Sequence, residues 1–296
     1  MAQDALMATA VRLSTSLEAL AALAAHIRLE SEPLESDPRI RSILGEVAEE
    51  LLGEGSVLEG RASAPVVGMT RAFLQQATEL VANPGRSGSW HQVDEVLLQG
   101  IGRLSGAIVQ AVQAAEGHLD CLSQRLDAPG GTFLDVGTGT GWLAMALARA
   151  YPSLQVIGID VFEPALELAR RNVTREGLAE RVQLRLQDVV TLDADANYDV
   201  IWLPLPFLPL DVVQLALAAS LRALRPGGWV LPGTFAGPGD RLSQLLIDLR
   251  TVRSGGHPWR AEELTAAMAG AGFAEVSVVP RTWAAPVELY AGRRPS

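Results

Sequence analysis

Apolar positions in the first part of the chain recur with a helical period. Leu6, Ala10, Leu13, Leu17, Leu20, Ala24 and Ile27 alternate spacings of four and three, which puts them on one stripe of one helix. Such a stripe has to be covered, either by other helices of the same chain or by the equivalent stripe of a second copy. A second helix is predicted from Pro38, acceptable in a first turn, to the stop at Gly53-Glu54-Gly55. A third carries Val66, Met69, Phe73, Ala77 and Leu80 and ends near Asn83-Pro84-Gly85. A long helical pattern then begins near Gln92, with Val93, Leu97, Leu104, Ile108 and Val112 on one face and Gly100, Gly102 and Gly106 inside it. Each interior glycine costs about 1 kcal/mol relative to alanine, so these glycines predict close approach by another backbone.

The pattern changes across Asp127-Ala128-Pro129-Gly130-Gly131, an ordinary short linker. Beyond it, β-branched runs predict strands at 132–136, 155–160, 182–187, 198–203 and 229–231, alternating with helical patterns at 142–150, 164–175 and 210–224. Strand, helix, strand repeated at this spacing gives right-handed crossovers and a parallel sheet covered on both faces. The runs 273–279 and 287–291 are joined by a turn containing proline and tryptophan, which predicts an antiparallel hairpin added to the sheet. The expectation is therefore an all-α domain over 1–128 and an α/β domain over 129–296.

Composition narrows the function. With 296 residues, 48% hydrophobic and 20% charged, the chain has material for a sizeable core. Its 34 acidic against 24 basic residues leave a formal charge of −10, which argues against nucleic acid or anionic lipid as the main partner. Every basic residue is arginine, so no lysine is present for a Schiff base. One cysteine, Cys121, fits a reducing cytoplasm, and it reads as a small buried apolar residue. Asp4, Arg12 and Glu18 interrupt the N-terminal apolar run, so neither a signal peptide nor a membrane span is expected. No metal site is expected, because the histidines are scattered.

The candidate chemistry begins after the first strand, at Asp135-Val136-Gly137-Thr138-Gly139-Thr140-Gly141, the place where an open α/β sheet binds its ligand. Gly137, Gly139 and Gly141 let the backbone turn sharply and approach a ligand closely. A dinucleotide fingerprint would need glycine or alanine where this chain has Trp142, and Asp135 would repel a pyrophosphate while welcoming an ammonium. Asp160 ends the second strand, well placed to accept from a ribose diol. Asp188 follows the third strand and can accept from an exocyclic amine, with Val189 and Phe162 available to sandwich a base.

On these residues the sequence resembles the class I S-adenosylmethionine-dependent methyltransferases. The resemblance runs through FLDVGTGTG at 133–141, VIGIDVFEPALELARRN at 156–172, LQDV at 186–189, YDVIWLPLPF at 198–207, LRPGGWVL at 224–231 and AGFAEVSVV at 271–279. It implies a Rossmann-like seven-stranded, mostly parallel sheet ending in a reversed hairpin, with S-adenosylmethionine as cofactor. Asp135, Gly137, Thr138, Gly139 and Gly141 would then hold its methionine part, Asp160 with Val161 and Phe162 its ribose side, and Asp188 with Val189 its adenine. The helical first part is similar to the cap of small-molecule methyltransferases, which implies a roof over the acceptor and a homodimer through the N-terminal helices.

Deprotonating an alcohol, phenol or amine acceptor is work for a histidine or carboxylate. The candidates are His91, in Ser89-Trp90-His91, and His257, in the loop before the last helix. His26 and His118 read as helix residues. Trp90, Trp202 and Phe207 are candidates for an apolar slot around a flat acceptor. The run Leu203-Pro204-Leu205-Pro206-Phe207 lacks the Asn or Asp with which amino-directed nucleic-acid methyltransferases grip a base, and no histidine follows before Leu224 as in plant-type O-methyltransferases. The leading expectation is methyl transfer to oxygen or nitrogen of a small, aromatic or heterocyclic secondary metabolite. The alternatives are a non-catalytic cofactor-binding partner protein and a nicotinamide-dependent oxidoreductase.

Overall fold

The computed structural model describes residues 2–53, 60–88, 94–193 and 198–296. Two compact units divide between Pro84 and Gly85. The first consists of α1 (Ala2–Ser31), α2 (Pro38–Leu52) and α3 (Gly60–Ala82). Asp37 caps α2 by accepting from the Arg39 backbone N–H at 2.9 Å, and Gly53, with φ +93°, ends it as its sequence predicts. The stripe on α1 meets two fates. Ala24 and Ile27 are buried with Val67 of α3, whereas Leu6, Leu13 and Leu17 are 70%, 50% and 48% exposed. By length and composition alone, Asp4–Ser31 is long and apolar enough to cross a membrane, with a mean hydropathy of 1.3. Arg12 and Glu18 interrupt the apolar run and lower its average without making it polar.

The second unit opens with α4 (Glu95–Ser105), a 3-10 turn over Gly106–Ile108, α5 (Val109–Ala115) and α6 (Leu122–Asp127). The single long helix expected here is broken at Gly106. There follow β1 (Thr132–Val136), α7 (Trp142–Ala150), β2 (Gln155–Asp160), α8 (Glu163–Arg175), β3 (Val182–Leu186), β4 (Tyr198–Pro204), α9 (Leu210–Ala223) and β5 (Leu224–Phe235). The chain closes with α10 (Arg241–Arg253), α11 (Ala261–Gly270), β6 (Ala274–Val278) and β7 (Val287–Arg293). The sheet order is β3-β2-β1-β4-β5-β7-β6, parallel except for β7, which runs antiparallel to both β5 and β6. This is the Rossmann-like, seven-stranded sheet with a reversed hairpin that the sequence implies.

Packing explains why the units do not divide at residue 128. Ala111, Val112, Leu122 and Leu126 are fully buried in one core layer with Phe133 of β1 and Leu147 of α7. The break in pattern at the linker therefore marks a change of periodicity, while helices α4–α6 belong with the sheet. The other face is covered by α9 and α11 through Val213, Ala216, Leu217, Leu264 and Met268. The helix α10 answers to no predicted element, and its Leu242, Leu245 and Leu246 face solvent. Cys121 corrects another expectation: it is exposed, in a left-handed turn (φ +60°) that starts α6.

The edge of the sheet remote from the glycine loop is tied by Asp199, which is 6% exposed near the start of β4. Its carboxylate accepts from Arg125 at 3.0 Å, from Arg225, and from the Thr132 backbone N–H at 2.9 Å. One buried charge thereby joins α6, β1, β4 and β5.

Candidate cofactor and acceptor site

The loop between β1 and α7 has Gly137, Gly139 and Gly141 at φ +62°, +55° and +82°, all in the left-handed region. A Cβ on Gly137 would lie 3.0 Å from the Pro204 ring at the end of β4, so glycine is required there for space as well as for conformation. The Thr138 N–H donates to the Ile159 carbonyl at 3.0 Å and the Gly139 N–H to Asp160 Oδ2 at 2.8 Å. The loop is thus tied to the tip of β2. Asp160 Oδ1 also accepts from the Phe162 N–H at 2.9 Å. The carboxylate keeps acceptor capacity beyond these bonds, available to a ribose hydroxyl. Burial raises the Asp160 pKa against the opposing backbone hydrogen bonds from Phe162, Gly139 and Val161.

Asp135 is only 1% exposed. Burial pushes its carboxyl up to about 7, opposed by the Thr138 hydroxyl donating at 2.7 Å and reinforced by the nearby charge of Asp160. A cationic ligand would meet buried Asp135 and half-buried Asp160 at the point where a pyrophosphate would be repelled. Val189 is buried and Asp188 exposed at the end of β3, where Asp188 Oδ1 accepts from the Val190 N–H at 3.1 Å. The Gln187 N–H donates to the Asp160 carbonyl at 3.0 Å, joining the tips of β2 and β3. Phe162 is half-buried as the residue capping α8, and Val161 beside it is 68% exposed. The structure therefore brings Asp135, the three glycines, Thr138, Asp160 and Phe162 into one connected hydrogen-bonded edge, with Asp188 and Val189 at its β3 end. Acceptor type, spare acceptor capacity and the glycine-rich loop fit S-adenosylmethionine: an acid for the ammonium, an acid for the ribose and an exposed acid for the adenine.

The acceptor candidates fare differently. Trp90 and His91 lie outside the described residues. Trp202 corrects the sequence expectation: it is 4% exposed in the core and packs over β5, where a Cβ on Gly233 would come within 2.1 Å of its ring. It does not share a slot with Phe207, which meets Phe235 edge-on at 5.9 Å between ring centres. His257 Nε2 sits 2.9 Å from Glu263 Oε1, and its ring stands edge-on to Trp259. It lines a cavity of about 120 Å3 with Pro206, Thr234, Phe235, Gln244, Glu288 and Tyr290 among its walls. The cavity and the glycine loop share one segment: Pro204 abuts Gly137, and two residues later Pro206 lines the cavity. Gly256 makes this possible, since a Cβ there would lie 2.4 Å from the Pro206 carbonyl oxygen. Among the described residues no group of three or more His, Cys, Asp or Glu is placed to hold a metal.

Sequence reasoning passed over Gln99 and Asn172. Asn172 Nδ2 donates to the Thr140 carbonyl at 2.9 Å and to Gln99 Oε1 at 3.1 Å, which fastens the glycine loop to α8 and α4. The only signal available was the glycine run in α4.

Comparison with known proteins agrees with this geometry. Residues 133–228 match a family described as a methyltransferase domain. A release factor glutamine methyltransferase of Rhodopirellula baltica is 32% identical over 143 residues, covering 48% of this chain and 46% of that protein. The chain spans about half the length of the curated relatives it matches. Human N-acetylserotonin methyltransferase, solved in complex with its cofactor, aligns over 97% of this chain and 98% of its own at 15% identity and a TM-score of 0.68. The S-adenosylmethionine-dependent methyltransferase SibL aligns over 97% and 99% at 21% identity and a TM-score of 0.65. Residues 133–228 thus carry a methyltransferase domain, and the sheet around them has the fold of these solved S-adenosylmethionine-dependent methyltransferases.

Proposed function

We propose that the protein transfers a methyl group from S-adenosylmethionine to an oxygen or nitrogen of a small, flat acceptor, and that it does so in the cytoplasm. The observation that carries the reading is the left-handed glycine loop suspended between buried Asp135 and half-buried Asp160. When bound, the cofactor supplies an electrophilic methyl group already activated by its sulfonium. What the chain has to add is alignment of the acceptor, exclusion of water and a destination for the acceptor proton.

His257 is the candidate for that destination. Its contact with Glu263 holds a proton on Nε2 and leaves Nδ1 as the basic nitrogen, the arrangement by which a carboxylate orients a general base. Phe207 and Phe235 offer an aromatic edge beside the cavity. A glutamine side chain as acceptor, which the name of the Rhodopirellula relative raises, would need a polar grip at the tip of β4; there Leu203 is fully buried and apolar. The exposed part of the α1 stripe, Leu6, Leu13 and Leu17, supports a homodimer through the first helix.

The test is transfer of labelled methyl from S-adenosylmethionine to a panel of phenols, hydroxylated heterocycles and amines. His257→Ala at saturating cofactor is expected to lower turnover at least about tenfold. Unchanged turnover removes His257 and leaves alignment alone as the source of rate. No transfer to any member, with intact cofactor binding, would favour the non-catalytic alternative.

A further inference from the structure

Trp142 stands directly after the third loop glycine and opens α7. Its indole Nε1–H donates to Gln99 Oε1 on α4 at 3.0 Å, and the Arg103 guanidinium lies 5.3 Å from the ring centre. A Cβ on Gly102 would come within 1.9 Å of Thr140 Oγ1 and 3.1 Å of the Trp142 ring, and one on Gly106 would lie 3.6 Å from the Trp142 carbonyl oxygen. Positions 99, 102, 103 and 106 follow helical spacing, so these residues form one face. Asn172, 1% exposed on α8, completes the clasp: it donates to the Thr140 carbonyl and exchanges hydrogen bonds with Gln99, each at 3.1 Å.

We propose that this face of α4 is the positioning surface of the cofactor loop, with Gln99 as the positioning residue, an inference that rests on the cofactor reading above. A loop rich in glycine loses much conformational freedom when it closes on a ligand. Fastened through Thr140 and Trp142 before the ligand arrives, it has already lost that freedom, and the gain appears as affinity. Gly102 inside α4 and Gly106 just beyond its end, both unfavourable for a helix, are the cost of seating it against the loop. Trp142, which disqualifies the loop as a dinucleotide fingerprint, is the anchor by which the loop is held.

The experiment is calorimetric titration of S-adenosylhomocysteine into the full chain and its variants, with the melting temperature of each unliganded protein measured alongside. Gln99→Met keeps the length of the side chain and removes its polar atoms. It is expected to weaken binding about tenfold while the melting temperature stays within about 3 °C of wild type. Gly102→Ala is expected to weaken binding too, although alanine is the better helix former. Adding Thr140→Ala, which removes the blocking hydroxyl, should restore affinity to within about threefold of wild type. Wild-type affinity in both single variants, or losses that merely follow a large fall in melting temperature, would overturn the proposal alone. Failure of the wild type to bind would overturn the cofactor reading beneath it, and the proposal with it.

Discussion

At the scale of single residues, Asp135 carries the largest electrostatic consequence. Its carboxyl is raised to about 7 by burial, against an unfolded value of 3.8. Between these values the folded protein keeps a proton that the unfolded chain has released, so stability of the unliganded protein falls as pH rises through that window. Cofactor affinity moves the other way. The ligand's ammonium prefers the ionised acid, so binding below about pH 7 must expel the proton. The S-adenosylhomocysteine dissociation constant should fall several-fold between about pH 6 and about pH 8, and Asp135→Asn should flatten that profile while weakening binding throughout. A profile equally steep in the variant would assign the effect to another group. The identity of this acid was legible in the sequence as the residue before the glycine loop; its burial was not, because burial depends on α7 packing over β1.

At the scale of elements, the strands were legible where they are buried on both faces. The runs at 132–136 and 155–160, apolar except for Thr132, Asp135, Gln155 and Asp160, become β1 and β2 with the predicted bounds. The start of β5 was hidden because Pro226 and Gly227 interrupt its pattern, and the pairing with β4 is irregular there, shifting between Tyr198 and Val200. The clasp on the glycine loop was hidden for a different reason: Gln99 and Asn172 are 73 positions apart, and no local pattern joins them. Asp199 offers a control at the far edge of the sheet. Asp199→Asn strips the charge from a site meeting two arginines and should cost about 1.5–3 kcal/mol in chemical denaturation. It should leave S-adenosylhomocysteine affinity unchanged, since none of its partners belongs to the glycine loop. A matching loss of affinity would show that the two sheet edges are coupled.

At the scale of the whole molecule, the order β3-β2-β1-β4-β5-β7-β6 puts the tips of β1 and β2 beside each other and that of β4 on the other side of β1. The strand order reverses between the neighbouring β1 and β4, which opens the crevice there, and this is why the glycine loop, Asp160 and the Pro204–Pro206 segment converge. The central claim is that these strand-end acids hold the ammonium and the ribose that S-adenosylmethionine shares with S-adenosylhomocysteine. Its most direct test is titration of the wild type and Asp160→Ala with S-adenosylhomocysteine, with NAD(H) as the competing ligand. The account predicts one site per chain for S-adenosylhomocysteine and none for NAD(H). It also predicts a loss of about 1.5–3 kcal/mol in the variant, a tenfold to hundredfold weakening. Binding of NAD(H) without S-adenosylhomocysteine, or an Asp160→Ala protein that binds as tightly as wild type, would contradict it.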